Sequence, residues 1–207
     1  MNVAQIIYGP LSPLYDLVCG SILQPGRRRA LTLLAPRPGE RILEVGAGSG
    51  YNINGYPPDC DVLAVDLSAA MLQRAKDRVD DAHRDTVRFA QMDAQRLAVP
   101  TGAFDAVFVP YTINVLPDPL AACREIVRAC HPNGRIVFLN HFGDVAATRN
   151  MVNKLAGKLA VAADVDWDLS LDRLVSALPL RVTRVEPVNV PRLSTVVLCE
   201  RTPAIAA

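Results

Sequence analysis

The run Arg41-Ile42-Leu43-Glu44-Val45-Gly46-Ala47-Gly48-Ser49-Gly50-Tyr51 decides how this chain is read. Its first half carries Ile42, Leu43 and Val45, neighbours whose side chains point to both faces, as suits a strand buried on both faces of a parallel sheet. Its second half places glycine at every other position, which lets the backbone turn tightly and approach a ligand closely. A strand feeding such a loop points to a nucleotide-type cofactor at the carboxyl edge of an α/β sheet. The dinucleotide fingerprint G-x-G-x-x-G requires a third glycine where this chain has Tyr51, so a nicotinamide oxidoreductase is disfavoured. The run reads instead as acid-x-G-x-G-x-G, with Glu44 at the strand end.

Outward from this run, short β-branched segments alternate with helical patterns. The strand candidates are Arg41–Val45, Val62–Val65, Val87–Gln91, Phe104–Val109 and Arg135–Leu139. Ser68 is placed to cap a helix over Ala69–Val79, whose Met71, Leu72, Ala75 and Val79 share one face. A second helix over Pro119–Cys130 is expected to end at the turn sequence His131-Pro132-Asn133-Gly134. Arg181–Glu186 and Ser194–Arg201 read as an antiparallel pair, so the expected sheet is mostly parallel with seven strands and an antiparallel C-terminal pair. Two segments fall outside this core: an N-terminal helical stretch to about Leu34, and Asp144–Ala163, inserted after the fifth strand.

With 207 residues, half of them hydrophobic, the chain is sized for one domain with a sizeable core. A formal net charge of +1 gives no argument for nucleic-acid binding. Five cysteines (Cys19, Cys60, Cys123, Cys130 and Cys199) show no CxxC spacing and read as reduced thiols in a cytoplasmic protein. His83, His131 and His141 show no ligand spacing, so no metal is expected. No apolar run reaches the roughly 18–20 residues of a spanning helix, and any membrane contact would be peripheral.

Two further acids follow the glycine loop. Asp66 ends the second strand, 20 residues beyond Gly46, where a carboxylate can accept from both hydroxyls of a ribose. Asp93 ends the third. The acid-x-G-x-G-x-G run resembles motif I of the class I S-adenosylmethionine-dependent methyltransferases, and the three features stand in that family's order. The resemblance implies a Rossmann-like α/β fold and S-adenosylmethionine as cofactor, with S-adenosylhomocysteine as product. It implies that Glu44 serves the amino group of the cofactor, backbone N–H groups its carboxylate, Asp66 its ribose and Asp93 its adenine. The candidate cofactor set is Glu44, Gly46, Ala47, Gly48, Gly50, Asp66, Leu67, Met71, Met92, Asp93, Ala94 and Pro110.

The stretch Phe108–Pro119, "FVPYTINVLPDP", ends the fourth strand without a charge between Asp105 and Asp118. Methyl transfer from a sulfonium tolerates such a loop, because positioning in near-attack geometry is worth up to about 7–11 kcal/mol. Tyr111 is the candidate to contact the acceptor, either through its hydroxyl or as a ring against a cation; it reads equally as a core aromatic. Together with "PNGRIVFLNHF" and the "PLYD" of Pro13–Asp16, the loop resembles the bacterial phosphatidylethanolamine N-methyltransferases. That resemblance runs from about Tyr8 to near Trp167. It implies stepwise N-methylation of phosphatidylethanolamine to phosphatidylcholine by a monomeric enzyme held peripherally on the inner face of the cell membrane. Candidate catalytic residues are Tyr111, Asn140 and His141, and candidate substrate contacts are Tyr8, Tyr15, Tyr111 and Arg149. Arg149, Lys154 and Lys158 in the inserted segment, and Arg27-Arg28-Arg29 after the apolar N-terminal stretch, suit an anionic lipid surface; both segments read equally as cover helices. Quinone-precursor C-methyltransferases share the early motifs and are the competing enzyme reading. A catalytically silent binding module is a third.

Overall fold

The structure is a computed structural model, and it describes residues 12–145, 169–189 and 194–202, with side chains from residue 23 onward. Helix α1 spans Ser12–Leu34, β1 Arg41–Val45, β2 Asp61–Asp66, α2 Ala69–Arg78 and β3 Val87–Gln91. There follow β4 Phe104–Pro110, α3 Pro119–Ala129, β5 Cys130–Asn140, α4 Leu171–Ser176, β6 Leu180–Val188 and β7 Ser194–Arg201. Among the described residues the strands form one sheet in the order β3-β2-β1-β4-β5-β7-β6. The first five are parallel, and β7 joins antiparallel to both β5 and β6. The strand order reverses between β1 and β4, so the crevice at their carboxyl ends is where an open α/β sheet places a ligand.

The inner strands are buried on both faces, as their continuous apolar sequences require. Leu43, Val45, Val107, Val109 and Phe138 face one cluster with α3; Ile42, Ala106, Phe108, Val137 and Leu139 face the other with α1. Ser68 caps α2 by accepting from the Met71 N–H at 3.3 Å. Asp118 caps α3 by accepting from Ala121 at 3.0 Å, with Pro119 at the first helical position where its missing N–H costs nothing.

Two boundaries differ from the sequence reading. Helix α3 stops at Ala129, and residues 130–134 are not a free turn but the irregular start of β5. Phe104 pairs with Cys130 whereas Ala106 pairs with Arg135, so the extra residues bulge out of the ladder. Gly134 is required there because a Cβ would lie 2.6 Å from Cys130 Sγ and 2.9 Å from the Asp105 carbonyl. In the second case, Asp144 lies in a turn and its carboxylate accepts from Ser170 Oγ, Leu171 N and Asp172 N, tying the chain to the start of α4. The rest of the proposed inserted helix, including Arg149, lies outside the described residues, as do Tyr8 and the side chain of Tyr15.

Helix α1 packs over β5, β7 and β4. Arg29 forms a two-pronged ion pair with Glu186 of β6 at 2.6 and 2.8 Å. At its C-terminus, Arg135 donates to the Leu34 and Ala35 carbonyls and pairs with Glu40. Pro25 lies inside the helix, where it has no N–H to donate, and the next amide, of Gly26, donates outside the helix to Asn189 Oδ1 at 2.8 Å.

Candidate active site

The glycine loop leaves β1 in the left-handed backbone region at Gly46 (φ +76°), Gly48 (+54°) and Gly50 (+82°), where a side chain is strained. The three serve different ends. A Cβ on Gly46 would lie 1.9 Å from Thr112 Oγ1, and one on Gly50 2.8 Å from the Cα of Ala75 in α2. A Cβ on Gly48 would meet nothing within 4 Å. Gly46 and Gly50 therefore allow the β4 loop and α2 to close against the turn, whereas Gly48 keeps clear the open space in front of it. The N–H groups of Gly46 and Ala47 donate to the Val65 carbonyl, that of Gly48 to Asp66, and that of Gly50 to the Ala47 carbonyl. These four are engaged within the fold, so the loop contributes close approach more than an anion cradle.

Asp66 stands at the end of β2. Its two oxygens accept from Gly48 N and Ser68 N, each at 2.8 Å. Burial pushes its carboxyl up, opposed by the N–H groups of Ser68, Gly48 and Leu67. Beside it Leu67 is 67% exposed, an apolar side chain held at the rim, while Met71 and Ala94 are buried. Met92 is half-buried and its N–H donates to the Asp66 carbonyl, carrying the third strand's end alongside the second. Asp93 accepts from the Gln95 backbone and side-chain amides, which hold it below the usual carboxylate range.

Glu44 is wholly buried. Asn52 Nδ2 donates to one of its oxygens at 2.7 Å and the Tyr56 hydroxyl to the other at 2.5 Å. Burial raises its carboxyl to about 7, opposed by Asn52, Tyr56 and the Arg27 charge and reinforced by Asp66. His83 fixes the Tyr56 end of this set: one ring nitrogen meets the Tyr56 carbonyl at 2.8 Å and the other Asp80 at 2.6 Å.

A pH dependence follows. The folded pKa lies above the ordinary 4.5, so this group's contribution to stability is present below pH 4.5 and is lost as pH rises toward 7, a change of roughly 3 kcal/mol. A cationic amine, in contrast, prefers the carboxylate. Binding of S-adenosylhomocysteine should therefore strengthen about tenfold between pH 6 and 8, as the ionised fraction of Glu44 rises. In Glu44→Gln that slope should vanish, and calorimetry at several pH values would show it; an equal slope in both proteins would exclude Glu44 as its source.

The β4 loop closes on these elements. Thr112 Oγ1 donates within reach of the Val45 and Pro110 carbonyls, at 3.1 and 2.9 Å. The Asn114 amide clasps the His141 backbone, donating to its carbonyl at 2.8 Å and accepting from its N–H at 3.3 Å. Asn140 is wholly buried and donates to the Val109 carbonyl at 3.3 Å. Pro110 ends β4 paired with Leu139, and Tyr111 follows with φ +53°, unusual for an aromatic residue. The Tyr111 hydroxyl accepts from Asn189 Nδ2 at 2.9 Å. Its ring lies 5.8 Å from that of His141 and 5.2 Å from the Arg27 guanidinium, which also stands 5.1 Å from Tyr51.

The residues singled out from β1 to β5 thus gather along the carboxyl edge of the sheet, as the sequence places them. Residues 43–138 match a family described as "Methyltransferase domain". The chain is similar to the class I S-adenosylmethionine-dependent methyltransferases. It is 29% identical over 91% of its length to a phosphatidylethanolamine N-methyltransferase of Cereibacter sphaeroides, of which it covers 93%. It is 35% identical over 54% of its length to a demethylmenaquinone methyltransferase of Beutenbergia cavernae, but spans only 45% of that protein. In fold it resembles a methyltransferase from Aquifex aeolicus, with a TM-score of 0.69 at 18% identity, covering 92% of this chain and 98% of that one.

The residues at this edge fit the cofactor that the similarity implies. The open space at Gly48, the carboxylate of Asp66 beside it, and the exposed Leu67 next to the buried Met71 would hold the nucleoside. Glu44 stands two residues before the loop, its oxygens held by Asn52 and Tyr56. Sequence reasoning passed over Asn52, Tyr56 and Asn189, and assigned Arg27 to a lipid surface rather than to the Tyr111 ring. Asn52 and Tyr56 stand in "GYNINGYP" directly after the loop, a polar pair four apart that turns inward to Glu44. Among the described residues no cluster of three metal-ligating side chains forms and no helix is long and apolar enough to cross a membrane.

Proposed function

We propose that the enzyme N-methylates phosphatidylethanolamine, in steps through the mono- and dimethyl forms, at a membrane surface. The observation that carries this reading is the extent of the match to the Cereibacter sphaeroides enzyme, which runs nearly the whole length of both chains. The shared portion with the demethylmenaquinone enzyme is confined to about half of each chain.

The geometry supports the chemistry such an acceptor needs. S-adenosylmethionine supplies, when bound, an electrophilic methyl group on a sulfonium. The chain's own part is to present a neutral amine and keep water out. The β4 loop brings no charge to that edge, and Val109, Ile113 and Phe142 behind it are buried. The Tyr111 and His141 rings lie 5.8 Å apart, and the Arg27 guanidinium lies 5.2 Å from the Tyr111 ring; in this reading His141 takes a proton from the incoming ammonium and Arg27 meets the lipid phosphate. The N-terminal segment and residues 144–163 provide the lipid contact in this reading, with the protein on the cytoplasmic face.

The test is an assay with radiolabelled cofactor and phosphatidylethanolamine, or its mono- and dimethyl forms, in mixed micelles. Labelled phospholipid is expected. Label appearing only in a demethylated quinone would replace this reading with the quinone one. Because the Tyr111 hydroxyl is engaged by Asn189, its ring is the part that faces the acceptor. Tyr111→Phe should cost several-fold in kcat/KM and Tyr111→Ala more than about 100-fold; equal losses would place the function in the hydroxyl. Flotation with anionic vesicles tests the membrane contact, and a protein left unbound would remove it.

A further inference from the structure

Four elements meet at one buried amide. Asn189, at the end of β6, is 9% exposed. Its Oδ1 accepts from Gly26 N of α1 at 2.8 Å. Its Nδ2 donates to the Tyr111 hydroxyl after β4 at 2.9 Å and to Ser194 Oγ at the start of β7 at 3.2 Å. The oxygen and both amide hydrogens are thereby engaged. The fit to α1 is close: a Cβ on Gly26 would lie 2.8 Å from both Asn189 Oδ1 and Nδ2.

The two residues joined across this amide are both strained. Tyr111 and Asn189 have φ of +53° and +62°, and Ala35 is the third non-glycine residue in that region among those described. Such conformations persist where the surroundings over-determine them, and they concentrate at functional sites. Here the surroundings are one another. The Tyr111 N–H donates to the Leu139 carbonyl at 2.6 Å, which fixes its backbone in the sheet, and the hydroxyl at the far end of the ring is fixed by Asn189. A phenol held at both ends cannot swing out of the acceptor space. The same amide holds the Pro25-Gly26 turn of α1, immediately before Arg27, which faces that ring.

We propose that Asn189 is a positioning residue for the acceptor side of the methyl-transfer site. It locks the Tyr111 ring and the Pro25-Gly26 turn of α1 into one unit, so the acceptor amine meets a fixed wall. The inference rests on the acceptor reading above only for the choice of substrate.

Its test is a double-mutant cycle. Asn189→Gly tolerates the positive φ and deletes only the amide. Gly26→Ala leaves Asn189 in place, adds helix propensity, and pushes a methyl group into the amide. Each is assayed alone and in a Tyr111→Phe background, with phosphatidylethanolamine in mixed micelles as acceptor and S-adenosylhomocysteine titrated by calorimetry. Both single variants are expected to lower kcat/KM for the acceptor about tenfold while moving the cofactor Kd less than twofold. In the Tyr111→Phe background each should cost clearly less than it does in the wild type, since the link to the ring is already open. Losses that multiply, or a cofactor Kd that weakens in parallel, would reduce Asn189 to a packing residue. Full activity of Gly26→Ala would overturn the proposal by itself. If the wild-type enzyme labels a demethylated quinone and no phospholipid, the acceptor reading has failed, and the same cycle on the quinone still decides the role of Asn189.

Discussion

Gly46→Ala is expected to cost the protein roughly 2–5 kcal/mol, lowering Tm by about 5–20 °C, from the addition of one methyl group. Two terms add. The φ of +76° is unfavourable for any residue with a Cβ. That Cβ would lie 1.9 Å from Thr112 Oγ1 and 2.8 Å from its Cβ and Cγ2. Thr112 cannot step aside without breaking the bonds of its hydroxyl to the Val45 and Pro110 carbonyls, which join β1 to the β4 loop. Thr112→Ala in the same chain removes the nearest atom and should recover part of the loss. Gly48→Ala is the informative contrast, since its Cβ meets no protein atom within 4 Å. It carries only the backbone term, yet its methyl group projects into the space assigned to the cofactor, so affinity for S-adenosylhomocysteine should fall far more than Tm. Melting curves of the two variants, with and without ligand, would separate them. A Gly46→Ala protein melting like the wild type would refute the contact between the two loops.

The inner strands were legible because they are buried on both faces, so that burial dictates their apolar residues. The first four strands appear within a residue of the expected bounds. What local pattern could not give was the start of β5. His131-Pro132-Asn133-Gly134 has the residues of a free turn, and only the packing of Gly134 against Cys130 and Asp105, a tertiary fact, makes it a bulge. The seating of α1 was equally hidden. Its placement depends on Arg29 meeting Glu186 and on Gly26 meeting Asn189, partners 157 and 163 residues away.

The site was legible in the same proportion. Glu44, the alternating glycines and Asp66 sit at strand ends that periodicity locates, whereas the packing of Gly46 on Thr112 and of Gly50 on Ala75 is tertiary. Asn52 and Tyr56 are dictated by Glu44, and Asn189 by Tyr111. Residues that serve other residues carry no pattern of their own, and a lone Asn after a strand looks like turn chemistry. The uncharged β4 loop also changes meaning. Its Thr112 and Asn114 fasten the β1 and β5 edges together through backbone contacts, so the loop works as a clasp with one strained aromatic ring on it.

Asp66 should show the opposite balance to Gly46, a large loss of affinity with little loss of stability. Its carboxylate already receives Gly48 N and Ser68 N, and burial holds its carboxyl above the ordinary value. A raised acid pKa means that its stabilising contribution is complete below the unfolded value of 3.8 and declines as pH rises through the folded one. At neutral pH the buried charge therefore opposes folding, and Asp66→Asn, which removes the charge at constant size, should leave Tm near that of the wild type. Binding is another matter. Two ribose hydroxyls donating to a carboxylate are worth about 1.5–3 kcal/mol each. Asp66→Ala should thus weaken S-adenosylhomocysteine by about 100-fold or more, and Asp66→Asn, which keeps one acceptor, by about tenfold. Calorimetric Kd values within threefold of the wild type for Asp66→Ala would remove Asp66 from the cofactor site and leave it the single task of holding the glycine loop against α2.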